Sequence, residues 1–220
     1  MSAAQIYLDA KQRIGEFVRE LSPDELAATV PSCPEWTVKD VVAHLAGGAE
    51  DFVAGTADGS PEWTAGHVRA RKDASIDEIL AEWDGTAPDV VPVIEGSERM
   101  FVIPLDAVTH EQDVRNAVGK PGARDNEGID WGLQKALGAG GGMLAKQGAP
   151  GLRIVAGDDE WLVGDGDPQA SVQVDRYELF RTVLGRRSEA QVRAWPWKGD
   201  PAPYLKGLSV FGLCSRDVTE

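Results

Sequence analysis

The stretch Pro104-Leu105-Asp106-Ala107-Val108-Thr109-His110-Glu111-Gln112-Asp113-Val114-Arg115-Asn116-Ala117-Val118-Gly119 decides how the chain is read. Proline is tolerated in a first helical turn, and Gly119-Lys120-Pro121-Gly122 supplies both a C-cap and a breaker, so the spacing predicts one helix between them. At about 100° per residue, Ile103, Asp106, His110, Val114 and Ala117 fall on one narrow strip, the strip that should meet other helices. A carboxylate and an imidazole therefore occupy an apolar face, where an unpaired carboxylate is costly and a partner is expected. Asp106 and His110 stand one turn apart and can converge on one atom, a spacing common in metal chelation. A hydrogen-bonded Asp–His pair satisfies the same pattern without a metal.

Toward the N-terminus, Ile6, Ala10, Ile14, Phe17, Val18 and Leu21 make one stripe of an amphipathic helix closed by Ser22-Pro23-Asp24. A linker, Pro31 to Trp36, leads to Thr37, an N-cap for a helix carrying Val38, Val41, Val42, Leu45, Ala49 and Phe52. His44 lies about 110° from the centre of that helix's apolar face, with Gly47 and Gly48 leaving room beside it for a neighbouring helix or a ligand. Residues 55–74 read as a polar loop that contains His67. Ile76, Ile79, Leu80 and Trp83 mark a shorter helix, which Pro88 and Pro92 are expected to interrupt.

Toward the C-terminus, a last helix spans about 130–147 and contains Gly138 and Gly140-Gly141-Gly142, so a break or close packing is expected there. From Leu152 the period changes. Leu152–Val155 and Glu160–Val163 flank Gly157-Asp158-Asp159 as a hairpin, Ser171–Val174 gives a third strand, and Asp175 caps a helix with Leu179, Phe180 and Val183. The expected fold is α+β: a helical bundle over 1–149, then a small α+β domain over 150–220, divided at Gly148-Ala149-Pro150-Gly151.

The formal charge of −14 over 220 residues would repel phosphate backbones and anionic membranes, so neither nucleic acid nor a membrane is expected as a partner. Only Cys33 and Cys214 occur, and no apolar run approaches a bilayer span, which together lead to a cytoplasmic protein with reduced thiols. Cys33 has no basic group near it in sequence and reads as an inert thiol. Asp113, one turn after His110, can accept a ring N–H from a ligating histidine or serve as a solvated helix charge. Arg186 and Arg187 can grip a carboxylate or stand solvated at the surface.

Two segments carry a resemblance. Cys33-Pro34-Glu35-Trp36-Thr37-Val38-Lys39-Asp40-Val41-Val42-Ala43-His44-Leu45-Ala46-Gly47 resembles the signature of the mycothiol-dependent maleylpyruvate isomerase family, whose N-terminal bundle is DinB-like, and Asp106 to Gly119 resembles that family's second motif. Leu184-Gly185-Arg186-Arg187-Ser188, Gly199-Asp200 and Phe211-Gly212 resemble its small C-terminal domain. The resemblance implies a four-helix bundle and a zinc site, or a site for another divalent metal, on His44, Asp106 and His110. It also implies mycothiol as the thiol cofactor and an electrophilic small molecule as substrate. One departure stands out: the isomerase is expected to use Glu where this chain has Asp106, a side chain shorter by one methylene.

Two imidazoles and one carboxylate leave zinc a net positive charge and an open position, at which a thiol is deprotonated. In an isomerase the thiolate adds to a cis-alkene conjugated with a carbonyl, allows rotation, and leaves; in a transferase it stays attached. The same ligands can activate water, which makes a hydrolase the alternative, and a non-catalytic member that binds a small molecule or a partner is a third. Arg186 and Arg187 are the expected catalytic arginines, holding an anionic group at the seam between the domains. A monomer or a homodimer is expected.

Overall fold

The computed structural model describes residues 1–220, which divide into two compact units, Met1–Ala123 with Glu220, and Arg124–Thr219. In the first unit, Ser2 caps α1 (Ala3–Arg19), a capping box of Ser22 and Glu25 starts the short α2 (Pro23–Leu26), and a small hairpin follows, β1 (Thr29–Val30) on β2 (Cys33–Thr37). The segment expected as a linker is thus a strand that ends on the cap of the next helix. Thr37 and Asp40 form a capping box at the start of α3 (Val38–Ala54).

Residues expected as loop contain α4 (Pro61–Ala70), opened by Ser60 accepting from the Trp63 amide and by Pro61 at the first helical position. Next comes α5 (Ile76–Gly96), which runs unbroken through Pro88 and Pro92 instead of being interrupted by them. Both prolines are exposed, so the carbonyls they leave without an amide partner, those of Asp84 and Pro88, lie on the solvent side of the helix. A single 3-10 turn, Glu98–Phe101, leads into α6 (Val102–Ala117).

The four long helices close a ring: α3 packs on α5, α5 on α1, α1 on α6, and α6 back on α3. Ile6, Ala10, Ile14 and Val18 of α1, Ile79 and Trp83 of α5, and Val108 and Val114 of α6 fill the centre. This is the four-helix bundle that the resemblance implies.

The second unit begins ahead of α7 (Glu127–Lys146), not at the expected Gly148–Gly151 stretch, because α7 packs on β4 and α8. The helix is unbroken, and its glycines are the reason for the close approach. A Cβ on Gly140 would lie 3.4 Å from the carbonyl oxygen of Gly207, and one on Gly141 would lie 3.2 Å from Val163. The strands β3 (Pro150–Ala156), β4 (Asp159–Val163), β5 (Asp165–Gln173) and β6 (Trp197–Lys198) form one mixed sheet in the order β4-β3-β5-β6.

The expected hairpin is present, with Leu152 opposite Val163 and Ala156 opposite Asp159, turning through Gly157 at φ 63°. Asp175 caps α8 (Arg176–Val183), and Ser188 caps the short α9 (Glu189–Arg193). No helix is long and apolar enough to cross a membrane.

Candidate metal centre

Two helices of the bundle bring His44, Asp106 and His110 together. α3 carries His44 inward: it lies on the flank of its own apolar face, yet it is 5% exposed because α3 is covered on several sides, by α5, α4, α6 and β2. α6 carries the other two, and its buried residues run without a gap from Ala107 to Val114. His44 Nε2 lies 3.2 Å from Asp106 Oδ2, and His110 Nε2 lies 3.4 Å from Asp106 Oδ1. The Asp106 side chain is 42% exposed while both histidines are buried, so the carboxylate forms the solvent side of the cluster. Trp36, in β2, packs its ring 5.0 Å from that of His44 and 6.3 Å from that of His110.

Behind His110, Nδ1 lies 2.9 Å from Asp113 Oδ2, a close contact set off the ring's N–H axis. Asp113 is fully buried, and its other oxygen accepts from the Ser32 hydroxyl at 2.8 Å. Each histidine therefore turns Nε2 toward Asp106 and Nδ1 away from it. Two imidazole nitrogens and a carboxylate oxygen lie within 4.8 Å of one another, a donor set that fits a divalent metal such as zinc with room for a further ligand.

Sequence reasoning missed several neighbours of the cluster. His67 is not in a polar loop: it lies on α4, is 5% exposed, and sets Nδ1 3.2 Å from His44 Nδ1. Its Nε2 is 3.0 Å from Asp51 Oδ2, and the Trp63 indole N–H donates to the same oxygen at 2.6 Å. Burial pushes the His67 pKa down, a direction that its hydrogen bond to Asp51 opposes without reversing. Burial raises Asp51, but hydrogen bonds from His67, Thr56 and Trp63 outweigh it and hold the carboxyl below its ordinary value. The signal for α4 was present in Ser60-Pro61-Glu62, a cap followed by a first-turn proline and an acid. Cys33, isolated in sequence, sits with its sulfur within 4.8 Å of ligand atoms of His110 and Asp113.

A narrow crevice of about 20 Å³ opens beside Asp106, lined by Leu45, Ala49, Phe52, Trp63 and Ile103 among others. In the second unit, Arg187 is buried and forked onto Glu178, with Nε to Oε2 and Nη2 to Oε1 both at 2.7 Å. Arg186 is half-buried and donates to the Leu184 carbonyl at 2.7 Å.

Two solved structures share this fold, both of the mycothiol-dependent maleylpyruvate isomerase. One, of a histidine-to-alanine mutant, aligns over 83% of this chain and 88% of its own, with a TM-score of 0.59 at 12% identity. The other aligns over 85% and 89%, with a TM-score of 0.55 at 13% identity. No curated protein matches the chain in sequence. Residues 7–125, which carry the whole His44–Asp106–His110 cluster, match the mycothiol maleylpyruvate isomerase N-terminal domain, and the chain belongs to that family.

Proposed function

We propose that this protein is a metal-dependent enzyme that uses a low-molecular-weight thiol, mycothiol, as an S-transferase or cis–trans isomerase acting on an electrophilic small molecule. The observation that carries this reading is the gathering of ligand atoms of His44, Asp106 and His110 within 4.8 Å of one another, with Asp106 on the solvent side. Bound there, a divalent zinc would supply the positive charge that keeps a thiol ionised at neutral pH.

The chain's own residues do the rest. His44 and His110 offer nitrogen donors from buried positions, and Asp106 offers a carboxylate from the solvent side. Asp113, held by Ser32, orients the His110 ring from behind. Trp36 packs against both imidazoles, and Phe52, Trp63 and Ile103 set apolar side chains beside Asp106 that would limit the water around a reacting sulfur. Arg186 and Arg187 are the cations proposed to hold an anionic group of thiol or substrate, with Arg187 fixed in orientation by Glu178.

The test is thiol dependence. Mycothiol should bind the metal-loaded protein with release of about one proton, seen by calorimetry in buffers of different ionisation enthalpy. Maleylpyruvate or a haloaromatic should then be consumed only when thiol is present, and His44→Ala should abolish both effects. Turnover of an ester without any thiol would support a hydrolase instead, and neither binding nor turnover would leave a non-catalytic binding protein.

A further inference from the structure

We infer that His67, anchored by Asp51, is a positioning residue that fixes the tautomer and ring orientation of His44, so that His44 presents a bare Nε2 to Asp106. The inference rests on the metal-site reading only for its consequence, metal affinity; the tautomer itself is a property of the metal-free protein.

The assignment follows from counting protons along one chain of contacts. Asp51 is an acceptor: it takes the Trp63 N–H on Oδ2 at 2.6 Å and the Thr56 hydroxyl on Oδ1 at 2.9 Å. Two neutral imidazoles carry two hydrogens for three contacts, and the one that goes without is His44–Asp106, whose carboxylate is the more exposed, 42% against 33% for Asp51, and can be served by water; His67 Nε2 therefore carries its hydrogen toward Asp51 Oδ2 at 3.0 Å. A neutral imidazole has one N–H, which leaves His67 Nδ1 as an acceptor. The nitrogen in contact with it is His44 Nδ1 at 3.2 Å, so that atom is the donor, and His44 keeps no hydrogen on Nε2. That bare Nε2 faces Asp106 Oδ2 at 3.2 Å, lone pair against lone pair, an arrangement that a cation between them relieves.

The surroundings are built for this contact. The His67 ring lies directly on Gly47, one turn after His44 on the same helix. A Cβ at position 47 would sit 2.7 Å from His67 Cγ and Cδ2, so any larger residue displaces the ring. Trp63 closes the opposite side, edge-on, with its ring 4.5 Å from His67 and 5.9 Å from His44. Metal-bound histidines usually give their second N–H to a carboxylate, a carbonyl or water. Here an imidazole backed by a carboxylate takes that place, on a helix that lies outside the four-helix ring.

Long-range ¹H–¹⁵N correlation spectra of the metal-free protein at neutral pH test the assignment directly. The expected result is His44 protonated on Nδ1 alone and His67 on Nε2 alone; His44 protonated on Nε2, or His67 protonated on both nitrogens, overturns it. In His67→Phe, which preserves ring bulk but has no acceptor, His44 should lose its single tautomer, and zinc affinity measured against a competing chelator should fall roughly 10–100-fold. Glutamine at 67 offers an acceptor and a donor and should recover most of that loss. An unchanged His44 spectrum and unchanged zinc affinity in a folded His67→Phe would refute the positioning role. Wild-type protein that shows the expected tautomers yet binds no zinc would sink the metal reading while leaving the tautomer assignment in place.

Discussion

Asp113 sits one turn beyond His110 on the same helix, fully buried, with its Oδ2 2.9 Å from His110 Nδ1 and its Oδ1 tied to Ser32. A buried carboxylate is costly unless its neighbours use its charge, and here the neighbour is a proposed ligand. Asp113→Asn should weaken zinc binding roughly 10–100-fold without removing any of the three donor atoms. Chelator competition checks this, and equal affinity in the two proteins would make Asp113 structural only.

Elemental analysis of the purified protein should find one divalent metal per chain. His110→Ala should lose it, because an imidazole and a carboxylate alone make a poor site. Asp106→Glu adds a methylene at a side chain that is 42% exposed and has space to extend, so it should bind zinc at least as well as the natural residue. A metal-free wild type whose stability is unchanged in His110→Ala would leave Asp106 and the two histidines as a hydrogen-bonded cluster.

Arg186 and Arg187 separate by environment. Arg187→Ala removes the partner of Glu178 and empties a buried site, so it should cost stability as well as activity. Arg186→Ala should leave stability nearly unchanged and raise KM or lower kcat about tenfold, as expected for the loss of one charge-assisted contact to an anionic ligand. Steady-state kinetics beside thermal melts distinguish the two, and wild-type kinetics in both variants would move the anion site elsewhere.

Tyr7 and Trp83 meet in the centre of the bundle, where the indole N–H donates to the phenol oxygen at 2.7 Å. Burial pushes the Tyr7 pKa up to about 12, against a smaller pull downward from that hydrogen bond. A raised acid pKa contributes stability that is complete below the unfolded value of 10.0 and is lost as pH climbs toward 12. Wild type should therefore lose up to about 3 kcal/mol over that interval from this group. Tyr7→Phe should lack this alkaline component and, near pH 7, be less stable by about 1–3 kcal/mol because the Trp83 N–H is left buried without its acceptor. Denaturant melts of both proteins between pH 7 and 11 measure the two effects, and parallel pH profiles would contradict the assignment.

The sequence by itself determined the elements whose rules are local. The apolar stripe of α1, the caps at Thr37 and Asp175, the turn at Gly157 and the change of period after Leu152 each follow from a few neighbouring residues, and the structure has an element at each place. The pairing of Asp106 with His110 was legible for the same reason, since helical geometry alone puts both on one strip. Tertiary structure decided the rest.

Pro88 and Pro92 read as breakers because a local rule cannot know that their freed carbonyls will face solvent. The glycines of α7 read as weakness until β4 and the segment around Gly207 came close to them. His44 read as a flank residue because one helix's periodicity gives a single apolar face, whereas α3 is covered on several sides. His67 and Asp51, 16 residues apart in the chain, meet only because α4 folds back on α3 over Gly47, where the absence of a side chain lets an imidazole approach the backbone. Periodicity records which way a side chain points; what stands opposite it is set by long-range packing, whose free energy is shared among residues far apart in sequence.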